Sequence, residues 1–374
     1  MRSILSILVI YLFFSCESEY TPIDSNNFIN LKWNKAYEDD SIEKALIGLK
    51  WALSYVGANT PNKKNGLIYN KSIIKLDCKV LGFSQKARKT LSRLISRTKT
   101  TEEYNKNNSV DLGRFVTLIL GSSEHYYQLV ETPETLEALK LGYKINTKHG
   151  YINNSSVALQ NREIIFSEQK GLNQIWISEE KDSITNEIYE FETIELLENG
   201  QLRFGIYDEK GKRKNVANKK HTNAGKPAKC IWCHESNLNQ MFKKQLNNPI
   251  GYLTEEELQQ KIITSRDSFH LKRKLIKDNI DYSKRQQHTY AELLYISFLE
   301  PSIKRLSLEF QMSETALIKK LSGLKTHKHT EFSFLGNIYY RREIEKFNPL
   351  KSIEVSASVR ELSTKEINHL SSGK

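Results

Sequence analysis

Three residues in the second half of the chain carry the most chemistry: Cys230, Cys233 and His234, in the run Lys229-Cys230-Ile231-Trp232-Cys233-His234-Glu235. Two thiols with two residues between them lie about one helical turn apart, so one face of a helix offers both to the same edge of a flat ligand. The histidine directly after the second thiol sets an imidazole beside them, where a ring nitrogen can ligate a metal. That spacing suits covalent attachment of haem, with the thiols on its two vinyl groups and the imidazole on its iron. Other uses of the same residues are a zinc site and a redox dithiol. Zinc needs two more ligands, and the chain has neither a second Cys-x-x-Cys nor paired histidines at finger spacing. A dithiol also favours a helix start, but here the tryptophan lies between the cysteines rather than before them.

The motif resembles that of the c-type cytochromes, over the five motif residues and their flanks. The resemblance implies one covalent haem c, held by Cys230 and Cys233, with His234 as proximal iron ligand and attachment outside the cytoplasm. The start of the chain agrees with that compartment. Residues 1–15 hold Arg2, an apolar run from Ile4 to Phe14, and Ser15 just before Cys16, the make-up of an export signal. The run is shorter than the ~20 apolar residues of a permanent membrane helix. Phe13-Phe14-Ser15-Cys16 looks like a bacterial lipobox, which implies cleavage before Cys16, acylation of that residue and a lipid-anchored chain in the cell envelope. An ordinary cleaved signal or an uncleaved anchor are the other readings of the same stretch.

The chain has four cysteines. With Cys16 assigned to lipid and two to haem, Cys78 is left over and reads as a small buried apolar residue. No pair remains to staple the fold, so it must rest on a hydrophobic core, which a chain of 374 residues can build. Lys and Arg outnumber Asp and Glu by 56 to 44, a net charge of +12, scattered without a basic block. Such a surface steers towards an acidic redox partner or anionic headgroups.

Stepping along the chain, a polar tether (16–27) precedes a helical region over 28–148. Ser41 caps a helix to Val56 that Gly57 ends, Ser84 caps another carrying Ala87, Leu91, Leu94 and Ile95, and 111–120 reads as a buried helix. Residues 61–72 read as a loop, as does 98–108 unless it is a frayed helix end. Thr132-Pro133 starts a helix closing near Gly142. Over 149–215 the pattern turns to strands at 156–166, 174–179, 187–197 and 201–208, with Asn199-Gly200 predicting a type I′ hairpin. A haem-binding segment (216–250) has a helix from Cys230 to about residue 245. The C-terminal region (251–374) reads helical, opened by a Thr254/Glu257 capping box, with helices over 255–264, 268–278, 286–299 and 302–311 and another between Ser313 and Gly323. Ile303 to Gly323 has helix-turn-helix spacing, but its turn lacks glycine, and an exported chain meets no chromosomal DNA. A core-packed helical pair is expected there and no nucleic-acid partner.

A distal iron ligand is harder to place. Met241 follows His234 by seven residues, ~10 Å along the same helix face, on the proximal side. Met312 is the remaining methionine candidate, and His221, His125 and His288 are the histidine candidates; a five-coordinate or water-ligated iron is the alternative to all of them. The run Gly-Ile-Tyr-Asp-Glu-Lys-Gly at 205–211 followed by a loop and the motif is similar to small β-sheet monohaem cytochromes of the c-prime-beta type, over about residues 150–242. That resemblance implies an open distal face. It departs here in two ways: a long chain follows the motif, and neither Lys170 nor Lys181 is marked as a lysine cross-link to the haem.

These observations predict an α+β chain: helical N-terminal region, small antiparallel sheet, haem-bearing helix, helical C-terminal region. The expected function is an exported, membrane-anchored monohaem c-type cytochrome carrying single electrons. The alternatives are a haem enzyme or gas sensor with an open iron, and a surface binding module in which the haem is structural.

Overall fold

Side-chain caps set most of the helix starts. In the computed structural model, which describes residues 27–153, 155, 161–234, 249–274, 288–357 and 366–371, Ser41, Ser84, Thr101, Asp111, Ser122 and Thr135 each accept a bond from a backbone amide of the following first turn. The signal segment, Cys16, the tether up to residue 26 and Met241 lie outside the described residues.

The chain begins with β1 (Phe28–Lys32) and α1 (Ile42–Tyr55), then β2 (Leu67–Asn70), β3 (Ile73–Asp77), α2 (Gln85–Lys99), α3 (Glu102–Asn107), β4 (Val110–Asp111), α4 (Leu112–Leu120), α5 (Ser123–Leu129) and α6 (Leu136–Lys140). The strands form a sheet in the order β2-β3-β1-β4, so the stretch 61–72, expected as a loop, contains a strand. The pairing explains it: β2 is an edge held by β3 through residues 67–70 and 73–76, and its own side chains are mostly exposed. Thr101 turns the polar stretch after α2 into the short helix α3. The helix expected from Thr132 begins only at Leu136, after Thr135 supplies the cap.

A second sheet follows, β5 (Gly150–Ile152), β6 (Asn161–Phe166), β7 (Ile175–Lys181), β8 (Ile188–Leu196) and β9 (Leu202–Asp208), antiparallel and in chain order. The β8–β9 turn is not type I′. Gly200 alone of the pair has a positive φ, 78°, and Leu197 N bonds Gln201 O while Gly200 N bonds Leu197 O, a three-residue loop closed by a left-handed glycine. Asn199 is instead buried, its amide donating to Ser54 O at 2.8 Å and Ala58 O at 3.0 Å, which ties the hairpin to the end of α1. Both faces of this sheet are covered. Ile165, Ile175, Ile177, Phe191 and Tyr207 pack under Leu136 and Leu139 of α6, and Phe166, Trp176, Phe204 and Leu202 join the main core.

Beyond α7 (Pro227–His234) come α8 (Glu255–Arg273), α9 (His288–Leu299), α10 (Ile303–Phe310), α11 (Glu314–Lys320) and α12 (Arg341–Ile344). The capping box at Thr254 and Glu257 is present, and the two helices expected over 255–278 are one through Arg273. Helix α9 lies against α1 and α4 so closely that a Cβ on Gly48 would sit 2.6 Å from Tyr290 O, and one on Gly113 2.7 Å from Leu294 O. Around Phe298 of α9, Arg305 takes both oxygens of Asp111 at 2.8 and 2.9 Å, and Arg341 forks onto Glu309 at 2.8 Å. Burial alone would raise the Glu309 carboxyl, but Arg341 and then Arg305 outweigh it and hold it at about 2. Helices α10 and α11 bury Leu306, Phe310, Leu317 and Leu321 with Ile344 of α12 in a satellite cluster. The main cluster draws on every region, from Ile29 through Phe115, Phe204, Trp232 and Tyr295 to Leu370. With helices as 40% and strands as 20% of the residues and two separate sheets, the fold is α+β, as expected, although the N-terminal region read as helical also holds the four-stranded sheet.

Candidate functional site

Helix α7 starts at Pro227, three residues before the expected start, because proline at a first helical position has its φ already set and loses no hydrogen bond. The earlier start puts both cysteines well inside the helix. Ala228, Ile231 and Trp232 form its buried face. Trp232 meets Tyr55 of α1 edge-on at 5.9 Å and Tyr295 of α9 at 6.3 Å. The base of the helix is pinned by Lys226, fully buried, whose ammonium reaches Gly121 O at 3.1 Å and Glu366 at 2.8 Å. With that face committed to the core, helical periodicity turns Lys229, Cys230 and Cys233 the other way.

They face a cavity of about 350 Å³ between α7, α8 and the five-stranded sheet, which Cys230, Cys233 and His234 all line. Small-molecule and cofactor sites span roughly 300–1,000 Å³, so the volume is of the right kind. Its walls are apolar: Ile164, Trp176, Ile194 and Phe204 from the sheet, Leu258 and Ile262 from α8. Helix α8 sits close over β5, where a Cβ on Gly150 would come 2.7 Å from Leu258. His234 lies 5.7 Å from the Phe204 ring. Cys233 is exposed, so the cavity meets solvent along that edge of α7, whereas Cys230 is half-buried.

One corner is polar. Register places Ser178 opposite Ile164 and Glu192, and Arg162 opposite Glu180, so Arg162, Ser178 and Glu192 reach the cavity from three adjacent strands. Arg162 Nε lies 3.2 Å from Glu180. Among the described residues, Arg162 Nη2, Glu192 Oε1 and the Trp176 indole N–H are buried with no hydrogen-bond partner. Burial, then the carboxylate of Glu180, pushes the Glu192 carboxyl up to about 8. Burial, then Glu192 and Cys233, holds the Cys230 thiol well above its ordinary range. A thiol kept protonated is a weak ligand for zinc and a weak nucleophile for disulfide exchange. Among the described residues no group of three or more His, Cys, Asp and Glu side chains is arranged to hold a metal ion.

The residues present fit the group that the motif implies. Both sulfurs and the imidazole open on one apolar cavity, and its Arg162 Nη2 and Trp176 donors meet no polar partner among the described residues. The other residues singled out from the sequence are elsewhere. Met312 packs on the satellite cluster between α10 and α11 and lines a different cleft, with Glu309 and Asn348; the structure does not bring it to the motif. His125 is spent inside the fold, its Nδ1 on Leu118 O at 2.7 Å and its Nε2 accepting from His369 N at 2.9 Å. His221 stacks on Tyr189 at 4.3 Å, and His288 begins α9. Lys181 pairs with Glu163 and Glu179, and Lys170 with Glu168. Cys78 is buried, with burial pushing its thiol up to about 12.

Sequence reasoning missed Arg162, Ser178 and Glu192. The one signal for them was strand alternation, which put Glu190, Glu192 and Ile194 on a single face; without the helices laid over that face, its acids read as solvent-exposed. No protein-family model, no curated protein and no solved structure matches the chain.

Proposed function

We propose that this chain is an exported, lipid-anchored c-type cytochrome with a single haem, carrying one electron at a time. The observation that carries the reading is that Cys230, Cys233 and His234 share one apolar cavity. In it Cys230 and Cys233 hold the haem as thioethers, His234 ligates its iron, and the walls contributed by the sheet and α8 exclude water. A haem so held supplies a one-electron couple whose potential follows its ligands and its burial. The exposed edge at Cys233 gives a partner a short route in. Lys212, Lys219 and Lys220, exposed on the segment leading to α7, offer positive charge to an acidic redox partner.

A second reading, an open iron that binds a small molecule or gas, is favoured by the polar corner. Among the described residues lining the cavity, His234 is the one imidazole and no thioether is present, while Arg162 and Glu192 place a charge and a proton beside the space.

Expression with the c-haem maturation machinery, followed by haem staining of a denaturing gel, tests the first claim. A stained band at mature size, lost in the Cys230→Ala/Cys233→Ala variant, is expected; an unstained full-length protein would overturn it. The reduced protein's spectrum under CO then separates the two readings, since an electron carrier with both axial positions filled takes up CO slowly or not at all.

A further inference from the structure

The polar corner contains three carboxylates and two cations. Glu180, on β7, is met by Arg162 Nε at 3.2 Å, by the Ser178 hydroxyl at 2.5 Å and by the Tyr189 hydroxyl at 3.4 Å. Glu190, on β8, is met by Lys214 Nζ at 3.1 Å and accepts from Asn218 N at 2.7 Å. Those contacts engage Lys214 Nζ and Arg162 Nε, while Arg162 Nη2 is left without a hydrogen-bond partner among the described residues. Glu192, two residues along the same strand and on the same face, has one carboxyl oxygen buried with no partner among the described residues. Arg162 and Lys214 attract its charge, but burial and the neighbouring Glu180 outweigh them. Lys229 turns its ammonium to the Asn223 carbonyl, α8 contributes Leu258 and Ile262, and α7 contributes the thiols and the imidazole. A buried carboxylate whose nearby cations are paired with other acids is costly, and the cheapest remedy is a proton.

We propose that Glu192 is the proton-loading group of this cavity: its carboxylate binds a proton from solvent when the haem held by Cys230, Cys233 and His234 receives an electron from a one-electron donor, and releases it when the electron leaves. The inference rests on the haem reading above. Each reduction forms one O–H bond on Glu192 and each oxidation breaks it, so charge in the cavity is unchanged over the coupled step. The position of the carboxyl near 8 puts the exchange in the neutral to mildly alkaline range, and an added electron nearby raises it further.

The experiment is a spectroelectrochemical titration of the mature haem-bearing chain from about pH 6 to about pH 10. One proton per electron lowers the midpoint potential by up to about 59 mV for each tenfold fall in proton concentration. The unaltered chain is expected to approach that slope over part of the range, and Glu192→Gln to lose it there. Equal slopes in the two proteins, or a flat profile in the unaltered one, would overturn the inference while leaving the cytochrome reading intact; a chain that carries no haem would overturn both. Should Glu192→Gln not fold, the redox-difference infrared spectrum of the unaltered chain decides. A protonated-carboxyl band that grows on reduction supports the inference, and its absence refutes it.

Discussion

Lys226→Met is the sharpest test of how α7 is held. Lys226 has no exposed surface, and Glu366 retains 12% on its side chain. Methionine keeps the length and the apolar stem, so the change removes the charge and little volume. It strips Glu366 of its cation at 2.8 Å and leaves the carboxylate with the Ser123 amide at 3.1 Å and the Ser123 hydroxyl at 3.5 Å as its described donors. Removing one partner of a buried pair costs about 3–5 kcal/mol, and the small exposure of Glu366 points to the lower end. The double change Lys226→Met/Glu366→Gln removes the stranded charge as well. It is expected to recover about 1–2 kcal/mol of the loss, a coupling typical of contacting residues. Urea unfolding of the four proteins of this cycle, followed by tryptophan fluorescence, supplies the free energies. Coupling within about 0.5 kcal/mol of zero would show that the pair does not hold the base of α7, and the account of its positioning would fail.

Trp232→Ala should cost about 3–5 kcal/mol in the same assay, because the indole fills the space between Tyr55 and Tyr295, whereas Cys233→Ser, at an exposed position, should change the stability of the haem-free chain by less than about 0.5 kcal/mol. For pH, burial lowers the His125 imidazole to about 4. The unfolded chain, with an ordinary value near 6.5, then binds more protons than the folded one between those values, so stability falls as pH drops from about 6.5 to about 4. The full effect is on the order of 3 kcal/mol. Thermal or urea unfolding of His125→Asn against the unaltered chain should show that share of the slope removed, and an identical slope would refute it.

Elements whose caps and periodicity agree were readable from the residues alone. Ser41 and Ser84 start helices where expected, and Thr254 with Glu257 closes its capping box. What local sequence lacked was pairing information. Strand β2 has exposed side chains and becomes a strand because β3 supplies its hydrogen bonds, so nothing within residues 61–72 announces it. Asn199-Gly200 misled for a related reason: the asparagine is recruited by the carbonyls of Ser54 and Ala58, more than a hundred residues away, and the turn adopts the geometry that allows it. The motif residues at 230–234 were legible because their chemistry is local. The acids and the arginine beside them were not, because a charged residue on a strand reads as solvent-facing until something is known to cover it.

The tie between Lys226 and Glu366 also orders events in time. A ribosome makes the chain from its amino end at roughly 5–20 residues per second, so the carboxylate that pins the base of α7 emerges on the order of 10 s after the lysine it must meet. Until then the buried ammonium has no such partner, and the helix bearing both thiols lacks that anchor. That anchor is therefore completed only once the segment around residue 366 is present, and in an exported chain this means after that segment too has left the cytoplasm.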